Sequence, residues 1–199
     1  MKVTGNLTIT AENAHEYSEL ESVDGSLDVR APFTAPALTN VGERLDVHAP
    51  FIAPALTKVG GWLNVHAPFD APALTNVSGS LYVNAPFTAP ALTNIDGWLD
   101  VRAPFTAPAL TNIDGWLYVY APLTAPALTK VGGEEITKFS YLLGLRYSVL
   151  CTDNYVRIGC KRHTRDEWAA FTDVEINAMD TDALSFWREY KDAILNKNT

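Results

Sequence analysis

The chain has 199 residues, 47% hydrophobic and 19% charged, with a formal net charge of −8. That composition excludes a disordered or supercharged chain, and the absence of any basic stripe argues against direct contact with nucleic acid. Cys151 and Cys160 are its only cysteines, too few for a small disulfide-stapled scaffold.

The opening Met1-Lys2-Val3-Thr4-Gly5-Asn6 lacks the apolar stretch of a secretion signal. Nothing approaches the run of about 18 apolar residues that a membrane helix needs, so no membrane partner is expected. A soluble, intracellular protein with reduced thiols is the expectation.

From Val3 to Gly133 the sequence repeats itself. Leu27, Leu45, Leu63, Leu81, Leu99 and Leu117 recur every 18 residues, as do the Ala-Pro pairs ending at Pro32, Pro50, Pro68, Pro86, Pro104 and Pro122. A second proline series from Pro36 to Pro126, the leucines from Leu38 to Leu128, and Val23, Val41, Val59, Val77, Ile95, Ile113 and Val131 keep the same phase. The first turn, Val3 to Leu20, fits with two extra residues. Residues 95–105 and 113–123 differ only where Asp100, Arg102 and Phe105 become Tyr118, Tyr120 and Leu123, as after an internal duplication.

Self-similarity at a fixed period is the mark of a stacked repeat. Two prolines per period break any continuous helix, and the residue before each proline is pushed to extended backbone. Leu-x-Val-x-Ala alternates with period two, as a half-buried strand does. Gly25, Gly61, Gly79, Gly97, Gly115 and Gly133 are expected to supply the tight corner before each strand, with Glu43 as the exception. The prediction is mainly β: a parallel β-solenoid of 18-residue coils stacked about 4.8 Å apart, sharing a core that no single coil could bury. The boundaries are 1–133 for the solenoid and 134–199 for a small α+β domain that caps it.

The Leu-Thr-Asn-Ile-x-Gly-x-Leu-x-Val run, as in Leu110–Val119, resembles the leucine-rich solenoids of receptor L domains and related bacterial repeat proteins. The resemblance covers about residues 3–133 and implies binding surfaces without naming a ligand. The Ala-Pro-x-x-Ala-Pro insert departs from the leucine-rich pattern and leaves the coil cross-section open.

With Leu, Val and Ala inward, the alternate positions face out. They form three columns: Ser26, Arg44, Trp62, Ser80, Trp98, Trp116; then Asp28, Asp46, Asn64, Tyr82, Asp100, Tyr118; then Arg30, His48, His66, Asn84, Arg102, Tyr120. Inward positions barely change between coils while these vary, which leaves the outside free for recognition. Exposed aromatics beside arginine are the residue types of interaction hot spots. The candidate binding residues are Trp62, Tyr82, Trp98, Asp100, Arg102, Trp116, Tyr118 and Tyr120. Local cross-strand pairing, or cover by the C-terminal domain, is the alternative account of the same aromatics. His48 and His66 are too few for a zinc site, which takes about three or four ligands.

Beyond Gly132-Gly133, Tyr147–Cys151 and Tyr155–Cys160 read as a β-hairpin across Asp153-Asn154. Thr164-Arg165-Asp166-Glu167 and Thr172-Asp173-Val174-Glu175 are capping boxes, each opening a short helix, the first running through Phe171. A third helix starts at Asp180 or Thr181, with Leu184, Trp187, Tyr190 and Ile194 at helical spacing. Capping an open solenoid end is the plain role of such a domain. Cys160 and His163, at the expected strand-to-helix corner, are a candidate pair for nucleophilic chemistry or for a zinc site, with a purely structural corner as the plain alternative. The run Ile158-Gly159-Cys160-x-x-His163-x-x-x-x-Trp168, with Met179-Asp180 and Phe186-Trp187-Arg188, resembles the C-terminal segment of uncharacterised phage and prophage proteins over about residues 145–196. That resemblance implies a mobile-element origin and, with it, the cytoplasm of a bacterial host.

The expectation is therefore a non-enzymatic protein that binds a protein partner, such as a host-defence complex it inhibits by occupancy, with self-association into a homo-oligomer as a further partner class and no cofactor or metal. The alternatives are a carbohydrate-binding or structural protein of a phage particle, and an enzyme using Cys160 and His163.

Overall fold

The structure, a computed structural model, describes residues 1–196. The chain divides into two compact units, one made of Met1–Leu117 with Ala121–Glu135, the other of Tyr118–Tyr120 with the chain from Ile136 onward.

The first unit is the parallel β-solenoid that the repeat predicts, and each full coil has three sides. One side is the two-residue segment ending in a Val or Ile, which supplies eight strands of a nine-stranded sheet, the ninth being Glu134–Glu135 at its end. The second is the Leu-x-Val segment, which forms a seven-stranded sheet from Leu7–Ile9 to Leu117–Val119. The third is Phe-x, giving six strands from Phe33–Thr34 to Leu123–Thr124. Register is set by the period: Leu63 pairs with Leu45 and Leu81, and Val65 with Val47 and Val83. The inward Leu, Val and Phe side chains of successive coils are buried. Burial of each such side chain stabilises the fold by about 1.5–3 kcal/mol, but only once a neighbouring coil covers it.

Two ladders run along this stack, one inside the core and one on its surface. Phe33, Phe51, Phe69, Phe87 and Phe105 stack ring on ring, with centroids 5.3 to 5.7 Å apart and planes within 16°. Leu123 takes the next place. On a corner of the coil, Thr57, Thr75, Thr93, Thr111 and Thr129 each donate both the backbone N–H and the side-chain hydroxyl to the carbonyl of the threonine one coil earlier, at 2.9 to 3.4 Å. From Thr57 to Thr129 each coil thus repeats the same polar bonds to a threonine carbonyl.

The corner glycines are needed for a reason other than the expected one. Gly25, Gly61, Gly79, Gly97 and Gly115 do not have positive φ. They are places where stacked backbones approach closely: a β-carbon on Gly97 would stand 2.6 Å from the carbonyl carbon of Gly79. Glu43 keeps the same backbone ladder, donating to the Gly25 carbonyl at 3.1 Å and accepting from the Gly61 N–H at 2.9 Å. The two extra residues of the first coil are absorbed where a short 3-10 helix, Ala14–Tyr17, replaces the third strand. At the other end Gly132 and Gly133, with φ of 63° and 79°, make a tight reversal that pairs Lys130–Val131 antiparallel with Glu134–Glu135. Gly133 is therefore part of a stop signal and not one more corner.

The second unit contains a four-stranded antiparallel sheet, Phe139–Leu142, Val149–Thr152, Val156–Ile158 and Lys161–His163, in sequence order. The predicted hairpin is its centre, turning at Asp153-Asn154. The first strand was not foreseen. The last one corrects the expected corner: Gly159, at φ 56°, and Cys160 form a second tight turn, and Lys161–His163 folds back on Val156–Ile158. Helices α1 (Arg165–Ala170) and α2 (Asp173–Asn177) both carry complete capping boxes, from Thr164 with Glu167 and Thr172 with Glu175. Helix α3 (Ala183–Leu195) starts slightly later than predicted, behind Asp182. The core joins Val149, Cys151, Val156 and Ile158 of the sheet to Trp168, Ile176, Phe186, Trp187 and Ile194 of the helices, and Trp168 Nε1 donates to the Val156 carbonyl at 2.8 Å.

Candidate binding face

The outer side of the Leu-x-Val sheet carries the three predicted columns, and the structure sorts them by height. The first and third stand proud. Trp62 is 54% and Trp98 51% exposed, and Arg30, Arg44, His48, His66, Asn84, Arg102, Trp116 and Tyr120 are also exposed. The middle column lies in a valley between them.

Asp100 lies on the outer side but deep in this valley: it is only 9% exposed. Arg102, two residues on and on the same face, lies across it, with Nη2 3.0 Å from Oδ2. Asp28 pairs in the same way with Arg30 at 2.7 Å, and Asp46 with Arg44 at 2.8 Å. A carboxylate sunk between strands needs such a partner. Asp46 Oδ1 also accepts a hydrogen bond from Asn64 Nδ2 at 2.5 Å. The guanidinium charges on this face are thus largely compensated by carboxylates beneath them.

Two of the tryptophans lie against corner glycines. Were there a β-carbon on Gly79, it would stand 2.5 Å from Trp62 Cδ1, and one on Gly115 would stand 2.3 Å from Trp98 Cδ1, so these two indoles lean over the bare backbone of the next coil. Trp62 meets Tyr82 edge-on, with centroids 6.5 Å apart and planes at 70°. His48 and His66 stack at 4.9 Å and 8°. Between Trp62 and Trp98 the column holds Ser80, buried, whose Oγ accepts the Trp98 N–H at 3.0 Å. The result is a shallow depression lined by Arg44, Trp62, Asn64, His66, Tyr82, Asn84 and Arg102. Arg44, Asn64, His66 and Asn84 are missing from the predicted set, although they belong to the same columns. Their polar side chains carry no hot-spot signal of their own in the sequence.

Tyr118 is placed differently from the other candidates. Tyr118–Tyr120 group with the second unit, where the Arg157 guanidinium sits 4.0 Å above the Tyr118 ring and the Val119 N–H donates to Ser148 Oγ at 3.0 Å. Arg157 is only 2% exposed. Burial pushes the Tyr118 hydroxyl pKa up and the Arg157 pKa down. Tyr118 is half-buried and committed to this cation–π packing, while Tyr120 is exposed. No residue near Tyr118 in sequence signals Arg157.

Cys160 and His163 are not brought together as a nucleophile and base would be. Cys160 is exposed in the Gly159-Cys160 turn. The His163 ring packs edge-on against Trp168 at 5.2 Å and Phe171 at 4.9 Å, with Nδ1 3.8 Å from Glu167 Oε2. A small apolar cavity beside Cys160 is lined mainly by Tyr147, Ile158, Trp168, Met179, Phe186 and Trp187. Among the described residues no group of three or more His, Cys, Asp or Glu is placed to hold a metal ion, and no helix is long and apolar enough to cross a membrane.

Compared with protein-family models, with curated proteins and with solved structures, the chain matches none. The likenesses to receptor L domains and to phage proteins therefore rest on the quoted motifs alone.

Proposed function

We propose that the protein is a non-enzymatic binding protein that engages a macromolecular partner through the outer side of its Leu-x-Val sheet. The observation that carries this reading is the pair of half-exposed indoles, Trp62 and Trp98, held on an otherwise repetitive and closely packed scaffold. Large rings fixed in advance lose little freedom on binding, and rings beside arginine are the usual anchors of recognition surfaces. A stack of parallel strands keeps such anchors at fixed spacing. Blocking a larger assembly by occupying its surface would need no more than this.

The test presents immobilised full-length protein to a bacterial lysate and to a glycan array, beside a Trp98→Ala/Trp116→Ala variant. The reading expects a partner, protein or glycan, that the wild type holds in stoichiometric amount and the folded variant loses. Equal retention by the variant would remove this face from consideration.

A further inference from the structure

We infer that the depression around Trp62 and Tyr82, which reaches from Arg44 to Arg102, is a subsite for a neutral oligosaccharide lying along the solenoid axis towards Trp98. This rests on the binding-face reading above and names the ligand class for it.

Charge is the first argument. Arg44 and Arg102 flank the depression, and each is ion-paired, to Asp46 at 2.8 Å and to Asp100 at 3.0 Å. An anion placed here meets those carboxylates along with the guanidiniums, so its attraction is largely cancelled. A sugar hydroxyl both donates and accepts, and can accept from the exposed guanidinium N–H groups without bringing charge into the site. Asn64, Asn84 and His66 add side chains that likewise offer donor and acceptor atoms.

Shape is the second argument. Trp62 and Tyr82 meet edge-on at 70° and form an aromatic corner. Ring faces of this kind take the flat, C–H-bearing side of a pyranose, while the polar rim fixes its hydroxyls. A protein hot spot instead centres on a desolvated apolar pocket. Here the rings alternate with Arg, Asn and His and leave no such centre.

Spacing is the third argument. Trp62 and Trp98 stand in one column two coils apart, roughly 10 Å at the usual strand separation. That span suits alternate rings of an extended β-linked pyranose chain. Ser80, the small residue between them, puts no third ring in the column.

The experiment titrates full-length protein with cellohexaose and chitohexaose as neutral probes and cellobiose as a short one. Polyglutamate and oligothymidylate serve as anionic probes, and binding is read by tryptophan fluorescence and calorimetry. The expected result is saturable binding of at least one neutral hexasaccharide, weaker by about tenfold for the disaccharide and by about tenfold in Trp62→Ala and in Asn84→Ala. Asp70→Ala, on a different sheet, leaves it unchanged, and all variants melt like the wild type. Absence of hexasaccharide binding, indifference to Trp62→Ala, or tighter binding of an anionic probe each overturns the subsite. If no hexasaccharide binds while a lysate partner is lost in Trp98→Ala/Trp116→Ala, the subsite falls and the binding face stands. If the lysate and the array yield nothing either, both fall.

Discussion

The indole of Trp98 lies over Gly115: a β-carbon on that glycine would stand 2.3 Å from Trp98 Cδ1 and 2.6 Å from the Gly97 carbonyl oxygen. The exposed ring and the bare backbone of the next coil are one packing unit. Gly115→Ala must move both the indole and the stacked backbone. Overpacking of this kind costs about 1–3 kcal/mol. Urea unfolding of the full chain checks this, and an alanine variant as stable as wild type would show that the corner yields more easily than its geometry says.

The phenylalanine ladder predicts a graded loss. Phe69 is stacked on Phe51 and on Phe87, whereas among these rings Phe33 meets only Phe51. Phe69→Ala should cost about 3–5 kcal/mol, with the cavity held open by coils on both sides. Phe33→Ala should cost less. Equal losses in chemical denaturation would mean that the ladder adds nothing beyond the burial of each ring.

Asp153 makes part of the second unit sensitive to acid. Its carboxylate accepts from the Thr137 hydroxyl at 2.7 Å and the Thr137 N–H at 2.9 Å, and from the Lys138 N–H at 3.1 Å. The Thr137 hydroxyl, foremost, holds its pKa down at about 2 against an ordinary 3.8. Because the folded value is the lower one, the stabilisation is complete above the ordinary value and is lost as pH falls through the folded one, between about pH 4 and pH 2. Asp153→Asn should lower the melting temperature at neutral pH and flatten this acid limb. An unchanged acid limb in the variant would assign the acid sensitivity to other carboxylates.

Arg157 should tolerate no replacement, lysine included. Its planar guanidinium covers the Tyr118 ring at 4.0 Å and donates to the Gly159 carbonyl at 3.3 Å. A lysine ammonium cannot reproduce both the stacking and the forked donors. Arg157→Lys and Arg157→Ala are expected to destabilise the protein to a similar degree, measured by thermal melting. Full rescue by lysine would reduce the role to charge alone.

The coils were legible in the sequence because one period serves several demands at once. Leu63, Val65 and Phe69 are buried, Pro68 forces extended backbone, and each sits 18 residues from its copy. The site was only partly legible. Trp62 and Trp98 could be placed outward from alternation alone, but Asp100 could not be placed in the valley, because alternation says which side a residue takes and not how deep it sits. Its depth depends on Arg102 folding back over it. The packing of Tyr118 is not legible, because its partner Arg157 lies in a distant segment with no repeat to announce it. The Lys161–His163 strand was hidden by its charge, which reads as a solvated corner until the Gly159-Cys160 turn supplies a neighbour for it.

The threonine ladder has a consequence for how such a molecule changes length. Thr93 reaches Thr75 by the same two bonds with which Thr75 reaches Thr57, so no coil can recognise its own place in the stack. A whole segment can be gained or dropped without leaving a seam, and the near identity of residues 95–105 and 113–123 looks like one such gain. The indoles then stand on a ruler that is extended or shortened by single notches. The reach of the face is changed by copying, and the chemistry at each notch by point substitution, two kinds of variation that do not interfere with each other.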